Sequence, residues 1–140
     1  MLDKDLFQDI RIRKVITTCL SGQLFLLIMM FLADYIRLGI SGDFSSLGTD
    51  PGIPGLWLLT VLVCLNLFAQ VSVQITDNRL VKRIVAGFVG FYGLFFLGHQ
   101  LIHYRADGFN PDVHVLLDAS HHILAGIALW YAIKWAKLNS

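Results

Sequence analysis

The chain has 140 residues, of which 56% are hydrophobic and only 15% are charged, and its mean hydropathy is +0.65. A soluble domain of this size needs more polar surface than this composition supplies. The formal net charge of +1 provides no global field that would attract a nucleic acid, so no such partner is expected. The length suits a single membrane domain over residues 1–140.

Four apolar runs follow one another along the chain. A helix needs about 20 apolar residues to cross the hydrocarbon core of a bilayer, and continuous runs differ from the alternating pattern of barrel strands. The composition therefore predicts an all-α integral membrane protein, a bundle of four transmembrane helices in the lipid bilayer. The predicted spans are residues 15–38, 56–75, 80–103 and 111–135.

A charged head, residues 1–14, precedes the first predicted span. Its apolar residues recur at helical spacing, so we expect it to lie along the membrane interface. Because the head carries acidic residues and the following run is long, it does not have the pattern of a cleaved signal peptide.

The distribution of lysine and arginine predicts the orientation of the bundle. Nine of these residues lie at the ends of the spans that share a side with the N-terminus, and only Arg37 and Arg105 lie on the other side. Cytoplasmic loops carry the excess of positive charge. We therefore expect both termini in the cytoplasm and a bacterial inner membrane as the location.

All five histidines lie in residues 98–122, within the third and fourth spans and the loop between them. Because this loop is short, the two spans should pack as an antiparallel hairpin. In such a hairpin, the numbers of two residues that face each other across the helices add up to a constant, here about 216 or 217. His103 then faces His114, and His99 faces Asp118.

Regular spacing places these side chains on one face of each helix. His99 and His103 are four residues apart, and His114, Asp118 and His122 follow one another at the same interval. Neutral imidazole and carboxylate are ligands for zinc, copper and iron, and ionisable groups inside a membrane mark functional sites. The expected metal ligands are His99, His103, His114, Asp118 and His122, with Asp34 of the first span at a similar depth.

A heme or another tetrapyrrole is the alternative cofactor, and His99, His121 and His122 are the residues expected to bind it. Two axial histidines require helices that are separated by the iron and both of its axial bonds. The spacing of adjacent helices, about 8–10 Å, disfavours that arrangement without excluding it. A single axial histidine on one of the two helices stays open.

Short segments of the hairpin resemble the metal motifs of membrane families. The sequences HQLIH and DASHH resemble the histidine boxes of membrane di-iron desaturases and hydroxylases, which use more histidines than the five present here. Asp118 and His122 are similar to part of a copper site in membrane monooxygenases. Paired HxxxD-type motifs also occur in zinc transporters. Each resemblance implies metal binding, and none assigns the chain to a family.

The sequence does not decide whether the chain is an enzyme. Besides a metal-dependent membrane hydrolase that acts on lipid headgroups, two functions remain open. The first is a metal-binding or metallocofactor-binding membrane protein with a redox, metal-handling or metal-dependent role. The second is an accessory subunit of a larger respiratory or photosynthetic complex, in which the cluster serves a quinone, heme or pigment site or a proton relay. Other membrane subunits or further copies of the chain are the expected partners.

Asn66, Gln70 and Gln74 are expected to form hydrogen bonds between helices.

Overall fold

The computed structural model describes residues 4–42, 56–107 and 113–138, which form helices and no strand. Four helices follow one another along the chain: α1 (Lys4–Ser41), α2 (Leu56–Ile75), α3 (Arg79–Asp107) and α4 (Val113–Lys137). Within these helices the side chains of residues 4, 5, 34, 37, 41, 56–58, 96, 99, 100, 102–107 and 113–115 lie outside the description.

The helix bounds agree with the predicted spans in part. Helix α2 coincides with its span, whereas α1 begins before its span and includes most of the charged head. The head continues the same helix because no glycine or proline interrupts it, and because Asp9 and Arg13 form an ion pair one helical turn apart. Helix α1 ends at Gly42, whose positive φ of 69° and N–H bond to the Leu38 carbonyl form a C-terminal cap.

Two of the described helical stretches are long and apolar enough to cross a membrane, as judged from length and composition. They are Leu6–Ile40 in α1 and Leu116–Lys137 in α4, and Leu59–Ile75 in α2 is a shorter apolar helix. Large hydrophobic side chains are exposed along all four helices. These features fit a helical bundle surrounded by an apolar medium.

Each helix packs against two others, in the cyclic order α1, α2, α3, α4, and α1 packs most extensively against α4. The expected contact between α3 and α4 is present. A Cβ atom added at Gly93 would lie 3.3 Å from the Ala125 Cβ, and one at Gly90 would lie 3.4 Å from Leu129. These pairs show an antiparallel hairpin whose register differs by one to three residues from the predicted one.

The close approach of α3 and α4 predicts opposite effects for two glycine substitutions. Gly93→Ala forces two backbone-anchored Cβ atoms into tight contact, so we expect it to destabilise the bundle by about 1–2 kcal/mol. Gly87→Ala places its Cβ in open space, and the better helix propensity of alanine should stabilise the protein by about 0.5–1 kcal/mol. Thermal unfolding in detergent measures both, and equal effects would contradict the packing.

Candidate functional site: a polar layer and an oriented histidine

Four polar side chains, one from each helix, are buried in the interior of the bundle. Gln23, Asn66 and His121 are each 0% exposed, and Tyr92 is 1% exposed. Each lies near the midpoint of its own helix. We call these four residues the polar layer. A polar group in an apolar interior is costly unless it has hydrogen-bond partners, so the contacts of these four side chains determine the cost of burying them.

Direct contacts hold three members of the polar layer together. The Asn66 amide donates a hydrogen bond of 3.2 Å to the Leu20 carbonyl of α1, and the Tyr92 side chain lies near that of Asn66. The ring centroids of Tyr92 and His121 are 5.7 Å apart. The layer therefore connects the carbonyl ladder of α1 to the imidazole on α4.

Polar side chains also join α1 to α2 on the side of the polar layer that is predicted to face the cytoplasm. The Gln70 amide donates to the Asn66 oxygen at 2.7 Å and accepts from the Ser21 hydroxyl at 2.9 Å. One turn further along, the Gln74 amide donates to the Thr17 hydroxyl at 2.8 Å. These bonds confirm that Asn66, Gln70 and Gln74 link neighbouring helices.

Gln23 differs from Asn66 in its hydrogen bonding. Its amide nitrogen and its amide oxygen are both buried, and neither has a hydrogen-bond partner among the described residues. At the adjacent position, a Cβ added at Gly22 would lie 2.8 Å from the end of the Leu124 side chain on α4, so α1 and α4 approach closely there. An unpaired buried amide is destabilising by about 1–3 kcal/mol, so Gln23 is expected to lower the stability of the bundle at this position.

His122 is held in one orientation by the backbone of its own helix. Its Nδ1 lies 2.7 Å from the Asp118 carbonyl oxygen. Because a carbonyl can only accept, Nδ1 is the donor in this contact, and in a neutral ring the lone pair is then on Nε2. That Nε2 is buried, with no hydrogen-bond partner in the described part of the chain. A ring whose second nitrogen is fixed in this way is oriented as metal-ligating histidines are.

The position of His122 on α4 directs it toward α3. Leu129, seven residues further along and therefore on the same side of α4, packs at Gly90 of α3. Asp118 shares this side and is half-buried. The His121 ring is 6.0 Å from that of His122 and nearly perpendicular to it. On α4, the predicted site therefore consists of the buried His121 and of two half-buried residues beside it, Asp118 and His122.

The other predicted site residues lie on helices, but their side chains fall outside the described residues. This applies to His99 and His103 on α3, to His114 on α4 and to Asp34 on α1. The described residues contain no group of three or more histidine, cysteine or acidic side chains that could hold a metal ion. Helical periodicity places positions 99 and 103 seven and eleven residues after Tyr92, on the same stripe of α3.

A second polar centre lies at the end of the bundle that contains the N-terminus of α1. One Arg13 Nη donates to the carbonyls of Val73 and Thr76 at 2.8 and 2.9 Å. The other guanidinium nitrogens bind the carboxylates of Asp9 and Asp77. We call this arrangement the Arg13 clamp. The guanidinium group offsets the partial negative charge at the carbonyl end of α2, where positive charge is favourable.

Trp135 and Lys82 complete the Arg13 clamp from α4 and α3. The guanidinium carbon of Arg13 and the Lys82 Nζ lie 5.4 and 5.5 Å from the Trp135 ring centroid. Lys82 is 2% exposed, and its Nζ is 3.7 Å from an Asp9 carboxylate oxygen. All four helices therefore meet at this cluster, which the sequence patterns did not predict.

Comparison of the chain with protein-family models, with curated proteins and with solved structures gives no match. A function for the chain is therefore inferred from the chemistry of its site.

Proposed function

We propose that this chain is a small polytopic membrane protein that binds a transition metal or a metallocofactor through its histidine and aspartate cluster. All four helices would cross the bilayer, with both termini on the cytoplasmic side of a bacterial inner membrane. The apolar helices, the exposed hydrophobic side chains and the excess of basic residues on one side support this placement.

The observation that carries the proposal is the oriented imidazole of His122. Its Nδ1 is bonded to the Asp118 carbonyl, and its Nε2 lone pair is buried without a partner among the described residues. Leaving a buried acceptor unsatisfied is costly, and coordination by a metal removes that cost. Zinc, copper and iron all accept neutral imidazole nitrogen.

The proposed ligands come from the facing ends of α3 and α4. His99 and His103 from α3 would join His114, Asp118 and His122 from α4, with Asp34 of α1 as a further carboxylate. If the cofactor is a heme or another tetrapyrrole, His99, His121 or His122 would supply one axial nitrogen. The role would be redox, metal handling or metal-dependent chemistry, near the extracytoplasmic side of the membrane.

Metal content and the visible absorption spectrum, recorded on protein purified in mild detergent without chelators, test this proposal. We expect about one equivalent of metal, or a Soret band, in the wild type and a loss of at least tenfold in affinity in His122→Ala. Ile123→Ala is the matched control, because it truncates an exposed side chain at the next position of the same helix.

Each outcome of this experiment has a defined meaning. Retention of the metal or chromophore by the His122→Ala variant at the wild-type level would rule out His122 as a ligand. Protein that contains no metal and no chromophore, and that takes up no added zinc, copper or iron, would overturn the proposal. Equal losses in the His122→Ala and Ile123→Ala variants would assign the effect to folding.

The second candidate function is an accessory subunit of a larger membrane complex. The unpaired amide of Gln23 in the polar layer favours it, because a quinone or pigment carbonyl, or a relay of water molecules, would satisfy an amide in that position. Mild extraction followed by size-exclusion chromatography and identification of co-eluting subunits would support this candidate. A monodisperse chain that carries its own metal would exclude it.

A further inference from the structure

A notch opens at the end of α2, beside the projecting end of α1. Arg13 lies next to the last carbonyls of α2, so the α1 residues from Lys4 to Arg13 extend about 13 Å past that end. The space above α2 is a cavity of about 560 Å³ between the two helices. Its lining is Leu6, Asp9, Ile10, Arg13, Lys14, Thr17, Thr18, Gln74 and Asp77.

Most of the charges around this notch are already paired. Arg13 binds Asp9 and Asp77, and Lys82 approaches Asp9. Lys14 is exposed and makes no ion pair with any described residue, and Thr18 follows it by one turn on α1. Asp77 has a side chain that is 81% exposed and uses one carboxylate oxygen for Arg13. The notch therefore presents an available ammonium group and an accessible carboxylate in one cavity.

We propose that the notch binds the phosphoethanolamine headgroup of a membrane lipid. The Lys14 ammonium and the Thr18 hydroxyl would bind the lipid phosphate, and Asp77 would accept hydrogen bonds from the lipid ammonium. This inference rests on the membrane placement in the proposed function, which puts the end of α2 at the level of the cytoplasmic headgroups. It does not depend on the metal site.

Lipid retention, measured by native mass spectrometry on the full chain, tests the headgroup site. The protein is delipidated and offered equal amounts of phosphatidylethanolamine, phosphatidylcholine and phosphatidylglycerol. We expect the ethanolamine lipid to be retained about threefold more than the other two. Phosphatidylcholine has a phosphate but no N–H donor, and phosphatidylglycerol has no ammonium group, so each lacks one of the two contacts.

Single substitutions test the phosphate contact and the ammonium contact of the headgroup separately. Lys14→Gln should reduce retention of all three lipids, since it removes the phosphate contact. Asp77→Asn should abolish the preference for ethanolamine but keep the phosphate contact. Arg11→Gln is the matched control, because Arg11 is an exposed cation on the same helix and does not line the notch. It should retain the wild-type preference.

Equal retention of the three lipids by the wild type, or unchanged retention in Lys14→Gln, would overturn the inference. Because Asp77 also contacts Arg13, the melting temperature of Asp77→Asn is measured in parallel, and the Lys14→Gln result stands independently of it. Metal content, measured on the same preparations, separates failure of the metal proposal from failure of the lipid site. A chain recovered in the soluble fraction without detergent would overturn the membrane placement and the lipid site together.

Discussion

Arg13→Ala is expected to lower the free energy of unfolding by about 3–5 kcal/mol, the range found when one partner of a buried ion pair is removed. The Arg13 and Asp9 side chains are only 11% and 18% exposed. Without the guanidinium, the Asp9 carboxylate loses its main partner, and the carbonyls of Val73 and Thr76 lose their donor. The end of α2 would then detach from α1.

The comparison of three variants makes this prediction specific. Arg11→Ala, an exposed position on the same helix, should change stability by less than about 0.5 kcal/mol. Arg13→Lys keeps the charge but loses the planar fork that reaches several acceptors, so it should recover less than half of the loss. Helical content followed through a denaturant titration in detergent measures all three. An Arg13→Ala variant as stable as Arg11→Ala would show that the clamp contributes nothing.

The polar layer predicts stability changes of opposite sign for two similar substitutions. Gln23→Leu removes a buried amide whose two polar atoms lack hydrogen-bond partners in the described structure, so it should stabilise the protein by about 1–2 kcal/mol. Asn66→Leu removes an amide that is bonded to the Leu20 carbonyl and to Gln70. Because the Gln70 amide would lose its acceptor, it should destabilise the protein by about 1–3 kcal/mol.

The two leucine variants also connect stability to function. A residue retained for a ligand at the expense of stability should give a more stable but less active protein when it is replaced. We therefore expect Gln23→Leu to unfold at a higher temperature and to lose any quinone, pigment or subunit that copurifies with the wild type. If Gln23→Leu is less stable than the wild type, the amide has a structural partner and the functional interpretation of Gln23 fails.

The sequence predicted the helical class and much of the element order because apolar runs and turn residues act locally. The span from residue 56 to 75 coincides with α2, and the adjacency of α3 and α4 follows from the short loop between them. The projection of α1 beyond its apolar run was not predicted, since the helical spacing of the apolar residues in the head suggested an interfacial segment. In the structure, Asp77 from the connection between α2 and α3 pairs with Arg13, and Lys82 of α3 approaches Asp9.

The polar layer and the Arg13 clamp depend on contacts between distant segments. Asn66 was recognised as a residue that bonds a neighbouring helix, but its partners follow only from the register of α2 against α1 and α3. Tyr92 gave no signal, because a tyrosine among phenylalanines and glycines looks like ordinary apolar packing. Arg13 counted only as one basic residue of a charged head. The register that brings it to the carbonyls of α2 is set by packing, which periodicity does not specify.

In the proposed placement with four spans, the unequal lengths of α1 and α2 would make the protein sensitive to membrane thickness. The 20 residues of α2 span about 30 Å, which matches an average hydrocarbon core. The 35 residues of α1 from Leu6 to Ile40, which include charged residues of the head, measure about 52 Å, so α1 is several turns longer than the hydrocarbon core whereas α2 is not. A thicker bilayer would draw the Arg13 clamp into hydrocarbon, and hydrophobic mismatch would therefore confine the protein to thinner membranes.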